Sequence, residues 1–248
     1  MHRLLVEGDA LEASRPQLGR EASRHLKVVR LKPGETVELF DGMGRTRLFE
    51  AGPDGSLSAK GGIKSFPAPK AALRLFACVT KGSRWDWTIE KAVELGVTSI
   101  VPVISERCIV RVDPSERAAK RERWLKIAAE AARQSDAVWL PEIVEPVSFD
   151  GAIELVKASG HVFAGALMKP EPPPLVDAAM AVGRDSDMGA FVGPEGDFTP
   201  EELGRLLEVA MPVSFGPTIL RAETAAIFAL SVLAARRMSL GGAGSSRE

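Results

Sequence analysis

The chain has 248 residues, 45% of them hydrophobic and 26% charged, with a formal net charge of −1. That balance describes a folded chain with a core large enough to need no disulfide or metal staple, and it excludes disorder over most of the length. The longest apolar run, residues 225–235, is about half of the roughly 20 residues that span a bilayer, and the N-terminus lacks a secretory h-region. No membrane contact is therefore expected, and a cytoplasmic location is.

The chain opens with a predicted strand at residues 3–6 and a helix at 21–29. Residues 36–40, 45–51 and 57–65 are β-like, separated by Asp41-Gly42 and Pro53-Asp54-Gly55, both turn chemistry. Strands at this spacing predict a small β-barrel or sandwich. Phe66-Pro67-Ala68-Pro69 cannot join a regular ladder and reads as a linker.

From residue 71 strands alternate with helices. A continuous apolar strand is predicted at 73–79. Ser83 is read as the N-cap of a helix whose apolar face is Trp85, Ile89, Ala92 and Val93, with Gly96 at its end. A strand follows at 98–103. Asp113-Pro114 starts the next helix, which carries Trp124, Ile127, Ala128 and Ala131 on one face. Further strands are predicted at 161–164, 190–192 and 213–215. Thr199-Pro200-Glu201-Glu202 is a capping box with proline at the first helical position. The last helix spans 223–238, and the Gly/Ser-rich residues 239–248 read as a disordered tail. The alternation predicts a mostly parallel α/β sheet.

Charge is unevenly spread. Residues 1–70 hold 12 Lys and Arg against 9 Asp and Glu, residues 71–133 hold 12 against 8, and residues 134–248 hold 8 against 16. A basic front half fits contact with a polyanion by one part of the molecule. Cys78 and Cys108 are too few for a disulfide framework. His2, His25 and His161 make no metal-binding spacing, so no metal site is expected.

Ligands of α/β sheets bind beyond the carboxyl ends of strands. Two segments there carry candidate chemistry. Residues 191–198 join a buried strand to a capped helix, and Gly193 and Gly196 leave room for a ligand against the backbone beside Glu195 and Asp197. Residues 215–225 repeat the arrangement. Ile219 and Leu220 are apolar residues in a loop, and Arg221 and Glu223 open a helix. Arg221 is a cation where the helix dipole favours an anion, which points to a carboxylate or another negative partner. The glycine fingerprints of Rossmann and P-loop proteins and the nucleophile elbow are all missing.

The motifs GPEGDF (193–198) and FGPTILRAETA (215–225) resemble the RsmE family, small-subunit (16S) ribosomal RNA uracil-N3 methyltransferases of the SPOUT superfamily. The likeness extends to residues 25–30 with Gly34, to residues 39–42, and to Lys81, residues 94–97, Pro102 and Arg107. It continues through Arg123-Trp124, Glu130-Ala131, Gln134-Ser135 and Pro141, so that it runs from about residue 3 to 237. One position departs: the family usually has GPEGG, and Asp197 stands at the fifth place.

The resemblance implies a PUA-like RNA-binding β-barrel domain (1–68) and a SPOUT methyltransferase domain (71–238) whose C-terminal end forms a trefoil knot. It implies a homodimer that binds S-adenosylmethionine and modifies ribosomal RNA within the assembled or assembling 30S subunit. Leu167, Gly193, Pro194, Glu195, Gly196, Phe215, Gly216, Ile219, Leu220 and Thr224 are the expected cofactor-binding residues. Arg221 is the expected anion stabiliser. Glu223 is the expected proton acceptor or orienter of Arg221, with Glu195 as the alternative acceptor. Arg3, Arg20, Arg24, His25 and Arg30, and Lys81, Arg84 and Arg107, are the expected RNA contacts. Two other classes stay open on sequence grounds: an RNA-binding factor without catalysis, and an enzyme of small acids with Arg221 as carboxylate clamp.

Overall fold

A computed structural model describes residues 1–238; the expected disordered tail, residues 239–248, lies outside the described residues. The chain divides into two units, the first of residues 1–69 with 128–140, the second of residues 70–127 with the chain from 141 onward.

The first unit is built on four strands. They are β1 (His2–Leu5), β2 (Thr36–Phe40), β3 (Arg45–Ala51) and β4 (Leu57–Ser65), with helices α1 (Asp9–Glu12) and α2 (Arg20–Val29) between β1 and β2. The barrel expected here is a sheet of order β1-β2-β3-β4, in which β1 is parallel to β2 and the other pairs are antiparallel. Alternation sends Leu4, Val37, Leu39 and Phe49 inward, where they pack with Leu11 and Leu57. The register shifts between Thr46 and Leu48, a bulge of the kind that bends a strand.

Residues 128–140 join this unit, which the domain boundary expected at residue 71 did not anticipate. Arg3 explains part of the attachment. Its Nε donates to Glu38 at 2.7 Å, its Nη1 to the carbonyls of Ala132 at 2.9 Å and Ala137 at 3.3 Å, and its side chain is 3% exposed. Trp139 lies over Gly44, where a Cβ would come within 2.4 Å of the ring.

The second unit is an α/β sheet. In chain order it comprises β5 (Leu73–Cys78), α3 (Ser83–Glu94), β6 (Ser99–Ile104), α4 (Arg117–Gln134, which continues into the first unit), β7 (Glu142–Ile143), β8 (Val147–Ser148) and α5 (Phe149–Lys157). There follow β9 (His161–Gly165), α6 (Leu175–Met180), β10 (Met188–Val192), α7 (Pro200–Leu207), β11 (Met211–Val213) and α8 (Ala222–Met238). The strand order is β11-β9-β10-β5-β6-β7, with β8 also beside β6, and every pairing is parallel. Parallel strands are covered on both faces, and accordingly all five residues of β10 are buried. Phe76, Phe149, Phe191 and Phe198 fill one core with Cys78 and Cys108. Trp85 and Trp124 meet edge to face at 5.6 Å elsewhere in the unit.

Thr199 caps α7 with the full reciprocal box to Glu202. Asp113 caps the short 3-10 turn that leads into α4 by accepting from the Ser115 amide. The cap expected at Ser83 is instead Gly82, at φ 62°, and Ser83 is the first helical residue. Among the described residues no helix is long and apolar enough to cross a membrane.

Candidate active site

A cavity of about 290 Å³ opens in the second unit at the carboxyl ends of β9, β10 and β11. Three crossovers wall it. The first, after β9, contributes Gly165, Ala166 and Leu167; the second, after β10, contributes Gly193, Pro194, Glu195 and Asp197; the third, after β11, contributes residues 214–216 and 218–221. The first and third are held together because the Ala166 amide donates to the Val213 carbonyl at 3.2 Å and the Leu175 amide to the Ser214 carbonyl at 3.0 Å.

Glycine is required at two of these positions. A Cβ on Gly165 would lie 2.3 Å from the Phe215 ring, so Gly165 admits that ring to the cavity wall, where it also packs against Phe228 at 5.9 Å. Gly216 has φ 111°, which lets the chain turn away from β11. The second crossover is a turn closed by the Asp197 amide donating to the Pro194 carbonyl at 3.0 Å. Asp197 itself sits at φ 57°, and its carboxylate accepts from the Phe198 amide at 2.7 Å. A left-handed residue is what a fifth-position glycine would supply, and aspartate tolerates it through that local hydrogen bond. Asp197→Ala should therefore lower stability by about 1 kcal/mol, and Asp197→Gly should be close to neutral. Chemical denaturation measures both, and an alanine variant as stable as the parent contradicts this account of the turn.

Of the expected cofactor residues, Leu167, Gly193, Pro194, Glu195, Phe215, Gly216, Ile219 and Leu220 line the cavity, and so does Arg221. Gly196 and Thr224 are not in the lining. Gly196 faces Arg107, whose Nη1 donates to the Gly196 and Phe198 carbonyls, each at 3.2 Å. Glu223 is also outside the lining: one of its oxygens lies 3.8 Å from Arg84 Nε and the other is buried. Gly165, Ser214, Asp197 and Thr218 belong to the wall and were not singled out as cofactor residues from sequence.

The expected RNA contacts divide. Arg20, Arg24, Arg30 and Lys81 are exposed. Arg3 is buried and spent on Glu38 and two carbonyls, so it is corrected to a structural anchor. His25 accepts at Nε2 from Arg133, so that nitrogen is already engaged; burial, and then Arg133, hold the imidazole below its ordinary range. Arg107 braces the second crossover, and Arg84 pairs with carboxylates. In the first unit a second cavity of about 540 Å³ has Leu18, Leu26 and Leu57 in its wall with Arg15, Lys27 and Arg30 beside them. Arg15 and Lys27 were missed because isolated cations in a sequence carry no mark of a shared surface.

A parallel sheet whose last strands open onto a small-residue cleft, without the Rossmann glycine fingerprint, is an α/β unit with a candidate ligand site at its crossovers. A family model described as an RNA methyltransferase domain matches residues 67–234, and one described as an RNA methyltransferase PUA domain matches residues 18–50. The chain belongs to this RNA methyltransferase family. A protein of Bacillus subtilis called ribosomal RNA small subunit methyltransferase E is 32% identical over 157 residues, which is 62% of this chain and 61% of the relative. A Neisseria gonorrhoeae protein of the same name, solved bound to S-adenosylmethionine, superposes with a TM-score of 0.80 at 28% identity, over 95% of this chain and 97% of its own. A Legionella pneumophila protein solved with the cofactor bound gives 0.82 at 29% identity, again over 95% and 97%.

Proposed function

We propose that this chain transfers a methyl group from S-adenosylmethionine to N3 of a uridine in small-subunit ribosomal RNA. The observation that carries this reading is the cleft where three crossovers meet, with Arg221 in its wall. The residues fit the donor. Phe215, Ile219 and Leu220 offer an apolar slot for adenine, the glycines admit it to backbone partners, and Glu195 and Asp197 place negative charge near a cationic ligand. When bound, that cofactor supplies an electrophilic methyl group on a positively charged sulfur.

Uracil N3 carries a proton at neutral pH and is a poor nucleophile until it is removed. The chain's tasks are to take that proton and to stabilise the charge left behind. Arg221 does the second, because its exposed guanidinium can face the uracil oxygens. Of the two candidate carboxylates, Glu195 lines the cleft and takes the proton; Glu223 stands behind as an orienting group. Arg20, Arg24 and Arg30, with Arg15 and Lys27, hold RNA phosphates through the first unit. Five such contacts imply roughly a 10²-fold loss of affinity between about 50 and 200 mM salt, and Arg20→Glu with Arg24→Glu should flatten that slope. An affinity that ignores salt counts against this role.

The reading includes the trefoil knot of the resemblance. At the C-terminal end, α8 packs on β10 and β5, and Arg236 of α8 donates to the carbonyls of Ala179 and Val182 at the end of α6. The reading also includes a homodimer, because Val176, Met180, Ile219 and Phe228 expose large apolar side chains on α6, α8 and the third crossover. Light scattering of the pure protein should give twice the chain mass; a monomer at micromolar concentration contradicts the dimer. The site of action is the assembled or assembling 30S subunit in the cytoplasm. The function itself is tested by labelled-methyl transfer onto undermodified small subunits: label in 3-methyluridine is expected, and label in a ribose or another base overturns it.

A further inference from the structure

Arg84, in the first turn of α3, lies between two carboxylates from distant parts of the chain. Its Nη1 donates to Glu195 Oε1 at 3.3 Å, and its Nε is 3.8 Å from Glu223 Oε1. Glu195 lines the cleft, whereas Glu223 belongs to the first turn of α8. The three side chains grade inward: Arg84 is 47% exposed, Glu195 25% and Glu223 13%, and the second oxygen of Glu223 is buried with no hydrogen-bond partner. A cation in the first turn of a helix works weakly against the helix dipole, and the two carboxylates offset that cost. A carboxylate kept this deep in turn needs a cation to hold. Arg84 thus has the charge of Glu223 on its inner side and presents its other edge to Glu195.

We infer that Glu223 and Arg84 are positioning residues that fix the Glu195 carboxylate at the cleft wall, and that Arg84 is not an RNA phosphate contact. The inference rests on the methyl transfer proposed above. In the step it serves, the N3–H bond breaks, the electron pair stays on nitrogen and the proton passes to a Glu195 oxygen. A carboxylate free to rotate away from the wall takes that proton less often, so the loss falls on turnover and not on substrate binding.

Steady-state methyl transfer onto undermodified small subunits tests this with Arg84→Ala, Arg84→Lys and Glu223→Gln. Arg84→Ala should lower kcat by about tenfold or more, leave KM for the subunit within about threefold, and leave S-adenosylmethionine affinity by calorimetry unchanged. Arg84→Lys should recover part of the loss. Glu223→Gln should resemble Arg84→Ala, and the double variant should lose no more than either single one. A rise in KM with kcat intact overturns the inference in favour of phosphate binding. So do a neutral Glu223→Gln, or losses that multiply in the double variant. A readout independent of turnover separates this from failure of the function itself. A crystal structure of Glu223→Gln should show the Arg84 guanidinium displaced from Glu195; a guanidinium that keeps its place beside Glu195 overturns the inference even in an active enzyme.

Discussion

Arg221→Ala should lower methyl transfer by about 10²–10³-fold while S-adenosylmethionine still binds. Arg221 immediately precedes α8, and its carbonyl accepts from the Ala225 amide at 2.8 Å, so its backbone starts the helix while its side chain stays exposed at the cleft. A cation is the less favourable charge for a helix start, by about 0.3–1 kcal/mol at an exposed site, and a negative partner offsets that. On the proposed function, that partner is the negative charge that develops on the uracil when N3 loses its proton. Removing one preorganised donor to such a charge typically costs about 10²–10³ in turnover. The adenine slot does not depend on this side chain, so the cofactor affinity measured by calorimetry should stay within a few fold. Normal turnover of the alanine variant removes Arg221 from the chemistry.

Gly165→Val should have the second largest effect, on binding. The new Cβ would stand 2.3 Å from Phe215 Cε2 and 2.7 Å from Cζ, distances that real atoms do not tolerate. Both atoms belong to a ring packed against Phe228, so relief requires that Phe215 leave the wall. The cofactor then loses a flat apolar surface, and a loss of about 2 kcal/mol of burial corresponds to roughly thirtyfold weaker binding. Gly204→Ala, at an α7 position with nothing within 4 Å of a new Cβ, is the control and should bind as the parent does. Parent-like binding by Gly165→Val contradicts the assignment of Phe215 to the slot.

Much of this molecule was legible from local patterns. The strands Thr36–Phe40, Arg45–Ala51 and Leu57–Ser65 fall where alternation and turn residues place them, because a half-buried antiparallel strand writes its own period into the sequence. The Thr199 box and the end of α3 at Gly96, φ 76°, were equally local. What failed was non-local. Helix α5 escaped although Phe149, Ala152, Ile153 and Val156 keep helical spacing, since it is short and has Gly151 in its first turn. The last strand ends at Val213, and Ser214 leaves the sheet to bond with the Pro173 carbonyl, a partner that no window around residue 214 contains.

The site divides in the same way. Glycines and loop apolar residues marked two of the three walls, because they are anomalous where they stand. Gly165 was not marked, since its reason is a ring fifty positions away in the chain. Arginine was the least legible residue. Arg3, Arg84, Arg107 and Arg20 are the same letter, yet one is buried in the first unit, one holds two carboxylates, one braces a turn and one is exposed. Charge in a sequence counts cations but does not record what each already holds.

On the proposed function, the crossovers after β9, β10 and β11 make one pocket for the methyl donor beside the Arg221 guanidinium. A crystal structure of the full chain with S-adenosylmethionine addresses it directly. The expected result is adenosyl density against Phe215, Ile219 and Leu220, between the Gly193 turn and Gly165, with Arg221 at the open side. Density at any other face of the chain, or none at a concentration where calorimetry shows binding, would contradict it.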